Sequence, residues 1–129
     1  MTRILIADDS PHVRRALRNL VEEHDENWEV CGEATDGRQA VQRATETNPD
    51  LIVIDFQMPI MDGLHAATEI AKIAPDVPLL LCTAHLSSSL ITEARRVGIQ
   101  GAVSKSSAND IVDGIHALLR HEPFFCPSA

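Results

Sequence analysis

Short apolar runs alternate along this chain with stretches in which apolar residues recur every three or four positions. Arg3–Asp8 (RILIAD) is almost continuously apolar and ends in acids, the pattern of a strand buried on both faces. Ser10-Pro11 then opens a helix, serine as its cap and proline at its first position. Val13, Ala16, Leu17, Leu20 and Val21 fall on its inward face. A second strand is predicted over Trp28–Ala34. The next helix starts at Asp36-Gly37, turns Ala40, Val41 and Ala44 inward, and stops at Asn48-Pro49. Leu51–Asp55 reads as strand three, and Leu64–Ala74 as a helix with Ile70 and Ile73 inward. Pro78–Thr83 reads as strand four, Ser88–Val97 as a helix closed by Gly98, and Gly101–Ser104 as strand five. Ser107 caps a last helix to about Arg120, with Asp110 completing a partial capping box. Five strands alternating with five helices predict an α/β fold, a parallel sheet covered on both faces.

The chain has 129 residues, the size of one domain, and 44% of them are hydrophobic, enough for a single substantial core. Its apolar runs are too short to span a bilayer. The acids straight after the first run exclude a secretory signal, so a cytoplasmic protein is expected, with no membrane association. A net charge of −8 argues against nucleic-acid binding by this segment. Cys31, Cys82 and Cys126 lack metal-ligand spacing and read as reduced thiols. The six histidines, among them His24 and His116, are scattered without metal spacing and read as surface or loop residues.

Polar residues collect at the carboxyl ends of the predicted strands: Asp8 and Asp9, Asp55, Thr83, and Lys105 just past the fifth. Ligands of open parallel sheets bind beyond those ends, where strand order reverses. If strands one and three are neighbours, three carboxylates converge. Such a cluster needs a proton or a cation, and oxygen-only ligands suit Mg²⁺. Taken singly, paired acids after a strand read more often as a solvated loop or cap, a lone Thr as a cap or turn residue and a lone Lys as a solvated tip. Asp55, followed by a loop built around Pro59 and Gly63, resists that reading, and the joint placement carries the signal.

The tract Leu51-Ile52-Val53-Ile54-Asp55, followed by Met58-Pro59 and Met61-Asp62-Gly63, resembles the response-regulator receiver domains of bacterial two-component systems. Ile4-Leu5-Ile6-Ala7-Asp8-Asp9, Thr83-Ala84 and Lys105 fit the same family, and the likeness spans about residues 2–121. It implies a doubly wound, flavodoxin-like, five-stranded sheet of order 2-1-3-4-5 with five helices, a topology for which receivers are a standing example. It implies a receiver domain over 1–121, with 122–129 a tail or the start of a linker. That tail resembles the linkers that precede helix-turn-helix domains of the LuxR/NarL type.

The resemblance also implies roles. Asp55 would take phosphoryl from a sensor histidine kinase. Asp9 and Asp55 would ligate Mg²⁺ (Mn²⁺ can substitute) together with the carbonyl of Gln57, and Asp8 would act mainly through water. Lys105 would pair with one phosphoryl oxygen and the Thr83 hydroxyl would bond another. Gln57 and His85 would tune the phosphoryl lifetime. The domain would switch an output, transcription among the candidates, and could dimerise on phosphorylation, without being a turnover enzyme for an external substrate. Ala102 departs from the pattern, since many receivers carry Tyr or Phe there as an aromatic switch. Arg14, Arg15 and Arg18 form a basic strip on the helix where the resemblance places kinase docking; a solvated face is the plain alternative.

Rival readings fit less well. A flavin or nucleotide site would meet Asp8 and Asp9 where phosphate should sit. A phosphatase with an aspartyl nucleophile looks for an acid at position 57, which is glutamine. A degenerate receiver, acting only as an interaction module, is disfavoured because every phosphorylation residue is present.

Overall fold

The computed structural model describes residues 1–125. The linker reading of residues 126–129 and the thiol of Cys126 lie outside them. The elements are β1 (Thr2–Ala7), α1 (Pro11–His24), β2 (Trp28–Ala34), α2 (Gly37–Thr47), β3 (Leu51–Ile54), α3 (Gly63–Ile73), β4 (Leu79–Thr83), α4 (Ser88–Arg96), β5 (Gly101–Ser104), α5 (Ala108–Leu119) and β6 (Phe124–Phe125). All pairings are parallel, in the order β2-β1-β3-β4-β5-β6. The expected order holds for the first five strands, with a sixth added at the β5 edge. There Phe124 pairs with Gly101 and Phe125 with Ala102. Two residues carry no legible period, so the segment shows no strand in the sequence; the open edge of β5 recruits it.

Strand alternation divides the core into two layers. Leu5, Ala7, Ile52, Ile54, Leu79, Leu81 and Ala102 face one way, towards Ala40, Ala44, Ala66, Ala67, Ile70 and Ala94. Those alanines let α2, α3 and α4 lie close to the sheet. Ile4, Ile6, Leu51, Val53, Leu80, Cys82 and Val103 face the other way, towards Leu17, Val21, Ile111, Ile115 and Leu118 of α1 and α5. Burial of Cys82 pushes its thiol up to about 12, which leaves it a protonated core residue.

Helix ends follow local chemistry. Ser10, Asp36, Asp62, Ser87 and Ser107 each accept a bond from a main-chain N–H three residues on. Asn48 closes α2 at a φ of 48°. The reciprocal half of the box at Ser107 is not made, because its N–H donates to Ser104 O. Two inward assignments fail. Ile73 is 51% exposed, and Ala16 faces solvent. The buried stripe of α3 runs Gly63, Ala66, Ala67 and Ile70, and one turn on it reaches Ala74 rather than Ile73. Ala16 sits one step round the helix from buried Leu17.

Candidate functional site

β1 and β3 are neighbours, with Ala7 opposite Ile54, so the residues that follow them emerge side by side. Asp55 N–H donates to Ala7 O, and Asp8 N–H to Ala34 O, both at 3.0 Å. β2 lies on one side of this pair and β4 on the other, so strand order reverses here, the position where open sheets bind ligands. β4 brings Thr83 to the same edge, and β5 brings Lys105, whose N–H donates to Thr83 O at 3.0 Å. Asp8, Asp55 and Thr83 are buried, at 1%, 4% and 3% exposure, whereas Asp9 is exposed. That division makes Asp9 the accessible acid of the adjacent pair.

Lys105 Nζ lies between the two buried carboxylates, 2.8 Å from Asp55 Oδ2 and 2.7 Å from Asp8 Oδ2. The contact to Asp55 is an aligned hydrogen bond; that to Asp8 is an ion pair without hydrogen-bond alignment, and Asp8 Oδ2 has no hydrogen-bond partner. Asp55 Oδ1 also lacks one. Burial raises the Asp55 carboxyl above its ordinary value. The Lys105 hydrogen bond and charge oppose that rise, and the neighbouring Asp8 adds to it. Burial works against the Lys105 ammonium, but its hydrogen bond to Asp55 and the negative charges of Asp55 and Asp8 outweigh this and hold its pKa above the usual lysine value.

One carboxylate oxygen from each of Asp8, Asp9 and Asp55 lies within 4.8 Å of the other two. Three carboxylates, two buried oxygens that accept no hydrogen bond and no nitrogen or sulfur donor suit a hard divalent cation such as Mg²⁺. A single lysine leaves this charge incompletely balanced.

The loop after Asp55 is built to keep the strand end open. A Cβ at Gly63 would stand 2.1 Å from Asp55 O, so only glycine lets α3 begin against the backbone of the acid. Gly63 N–H donates to Phe56 O at 2.8 Å, while Asp62 caps the helix. Between them Ile60, at a φ of 71°, centres a tight turn closed by Met61 N–H and Pro59 O, a strained conformation for a β-branched residue. Gln57 and His85 are both exposed and share a recess of about 310 Å³ with Phe56, Thr83 and Leu90. Gln57 also lines a shallow recess with Asp9 and Asp62.

Three features of this end of the molecule escape sequence reasoning. Lys105 already partners the acids, so the cluster is not bare. Arg14 donates to Asp8 O at 2.7 Å and to Glu33 Oε1 at 3.0 Å, and Arg18 binds Glu33 Oε2. Burial opposes ionisation of Glu33, but the two arginines hold its carboxyl below the usual range. Two arginines of the basic strip therefore brace the loop carrying the acids, and Arg15 remains the exposed one. Finally, Phe125 packs beside Ala102, and the Arg95 guanidinium of α4 lies 4.0 Å over its ring. An aromatic ring thus stands next to the alanine from a different strand. No signal in the sequence couples these partners.

The chain belongs to the response regulator receiver domain family, whose model matches residues 4–116. Among its relatives, the chemotaxis protein CheY of Thermotoga maritima is 36% identical over 103 residues, which is 80% of this chain and 84% of that protein. The response regulator protein VraR of Staphylococcus aureus is 32% identical over 126 residues, 97% of this chain but 60% of VraR. A two-component response regulator of the LuxR family from Aurantimonas sp. SI85-9A1 superposes with a TM-score of 0.93 at 32% identity, over 98% of this chain and 91% of that one. Among the described residues no helix is long and apolar enough to cross a membrane.

Proposed function

We propose that Asp55 is the phosphoacceptor of a two-component relay. The observation that carries the reading is its buried carboxylate at the switch point, grouped with Asp8 and Asp9 and bonded to Lys105 at 2.8 Å. An Asp55 oxygen attacks the phosphorus of a kinase phosphohistidine, the P–N bond breaks, and its electron pair returns to the imidazole, which takes up a proton. Lys105 moves from the free carboxylate to a phosphoryl oxygen, and the Thr83 hydroxyl donates to another. Asp9 and Asp55, with the main-chain carbonyl of Gln57, would hold Mg²⁺ or Mn²⁺, and Asp8 would act through water. The ion supplies neutralisation of phosphoryl oxygen charge. Gln57 and His85 border the path of hydrolytic water and set the phosphoryl lifetime.

The switched element is α4 with the preceding segment, Ala84–Ser89. Only Ala94 of this helix is fully buried, and Ala84, His85 and Ser87–Ser89 are exposed, so a second arrangement costs little. Arg95 on Phe125 ties α4 to the terminal strand, a route from the phosphoryl group to whatever follows residue 121. The receiver is read as spanning 1–121, with 122–129 a tail or the start of a linker, of which Phe124 and Phe125 add to the receiver's sheet. Likeness to a two-component response regulator of the LuxR family supports a transcriptional output and a sensor histidine kinase as partner; dimerisation on phosphorylation and a cytoplasmic location complete the proposal.

Incubation with acetyl phosphate and Mg²⁺, read by intact-mass spectrometry, tests the reading. Wild type should gain one phosphoryl group and Asp55→Asn none. Equal phosphorylation of both at the same rate would overturn it.

A further inference from the structure

Three rings meet at the end of α1 remote from Ser10. His24, in the last turn of α1, and His116, on α5, are 92 positions apart, yet their Nε2 atoms lie 3.1 Å from each other. Trp28, the first residue of β2, packs against both, with ring centroids 5.1 Å from His24 and 4.8 Å from His116. The two imidazoles meet nearly edge to face, at 71°. Trp28 is buried, His24 is open to solvent and His116 is half-buried, so the nitrogen pair sits on an apolar floor at the surface.

We propose that His24 and His116 form a two-imidazole site for a borderline divalent transition ion, Zn²⁺, Ni²⁺ or Cu²⁺, distinct from the acid cluster. Imidazole nitrogens bind Zn²⁺ at about 2.0–2.1 Å, which sets the nitrogens roughly 3.3 Å apart at a tetrahedral angle and roughly 2.9 Å apart at a right angle. The observed 3.1 Å lies between these values, so the nitrogens need not move apart to admit an ion, while the rings turn to aim both lone pairs at it. Without an ion the pair is joined by one N–H···N bond, in which one Nε2 carries the proton. Binding moves that proton to Nδ1 of the same ring, or to solvent, and frees both Nε2 lone pairs. Water fills the remaining coordination positions. Nitrogen ligands select against Mg²⁺, which prefers oxygen, so the two ends of the molecule take different metals. A bound ion would clamp the last turn of α1 to α5. The inference does not depend on the role of Asp55.

Trp28 is the sole tryptophan of the chain and a built-in reporter. Zn²⁺ titration by calorimetry in excess Mg²⁺, and Ni²⁺ titration followed by tryptophan fluorescence, test the proposal on the whole chain. Wild type should bind one Zn²⁺ at this pair, and Ni²⁺ should quench Trp28. His24→Gln and His116→Gln should each weaken binding by at least the roughly 10–100-fold that loss of a mere outer-shell partner costs. His65→Gln, at another exposed histidine, should change nothing. Imidazole nitrogen NMR of the unsubstituted protein gives a reading independent of any folding defect: Zn²⁺ should shift Nε2 of His24 and His116. Unquenched Trp28, unchanged affinity in His24→Gln, or shifts confined to other rings would each overturn the proposal.

Discussion

Replacing Lys105 by methionine removes the ammonium from between two buried carboxylates, 2.7 Å from Asp8 and 2.8 Å from Asp55, while keeping most of the side-chain volume. Removing one partner of a buried ion pair costs about 3–5 kcal/mol. Two features reduce that here. The Lys105 side chain is 19% exposed, so water screens part of the interaction, and Asp55, already shifted upward, can take a proton once the lysine is gone. A loss of about 2–3 kcal/mol in metal-free buffer at neutral pH is expected. For a domain of this size it corresponds to a fall in Tm of about 6–15 °C. Thermal melts followed by circular dichroism in EDTA and in excess Mg²⁺ measure both halves of the argument. The cation has one positive charge fewer to compete with in the variant, so Mg²⁺ should raise its Tm more than that of wild type. Equal melting temperatures in EDTA, with equal increments on adding Mg²⁺, would mean that Lys105 does not balance these acids.

Asp55→Asn should move stability the other way. The Asp55 pKa is raised on folding, chiefly by burial, so the folded protein binds this proton more tightly than the unfolded chain and the ionised carboxylate weakens the fold. In metal-free buffer the variant should melt above wild type at neutral pH, and the gap should close as pH falls towards the ordinary value of 3.8; a gap independent of pH refutes the assignment. Gly63→Ala drives a Cβ to within 2.1 Å of Asp55 O, so the loop must shift. A loss of about 1–3 kcal/mol by urea denaturation and slower phosphorylation are expected, and wild-type behaviour in both would show that α3 can retreat from the strand end without cost.

The alternation of buried runs and amphipathic stretches was enough to place five strands, five helices and most of their ends, because each depends on neighbours within a few residues. Ser10-Pro11, Asp36-Gly37 and Ser107 act locally, and a parallel strand buried on both faces leaves an unbroken apolar run such as Leu51–Ile54. The placement of Asp8, Asp9, Asp55, Thr83 and Lys105 at strand ends was legible for the same reason. Finer phase was not: Ile73 and Ala16 lie at the margin of their helices' apolar stripes, where one residue's rotation decides between core and water. Nor does a two-residue strand such as Phe124–Phe125 have a period to read; it exists because β5 offers an open edge. Only the tertiary structure decides which distant groups share a charge or a proton. Lys105 reaches Asp55 across 50 positions, Arg14 braces the Asp8 carbonyl with help from Glu33 on another element, and His24 meets His116 across 92. Parallel crossovers return the chain to the same edge after every helix, so partners are set by strand order and helix packing, which no local pattern in the sequence records.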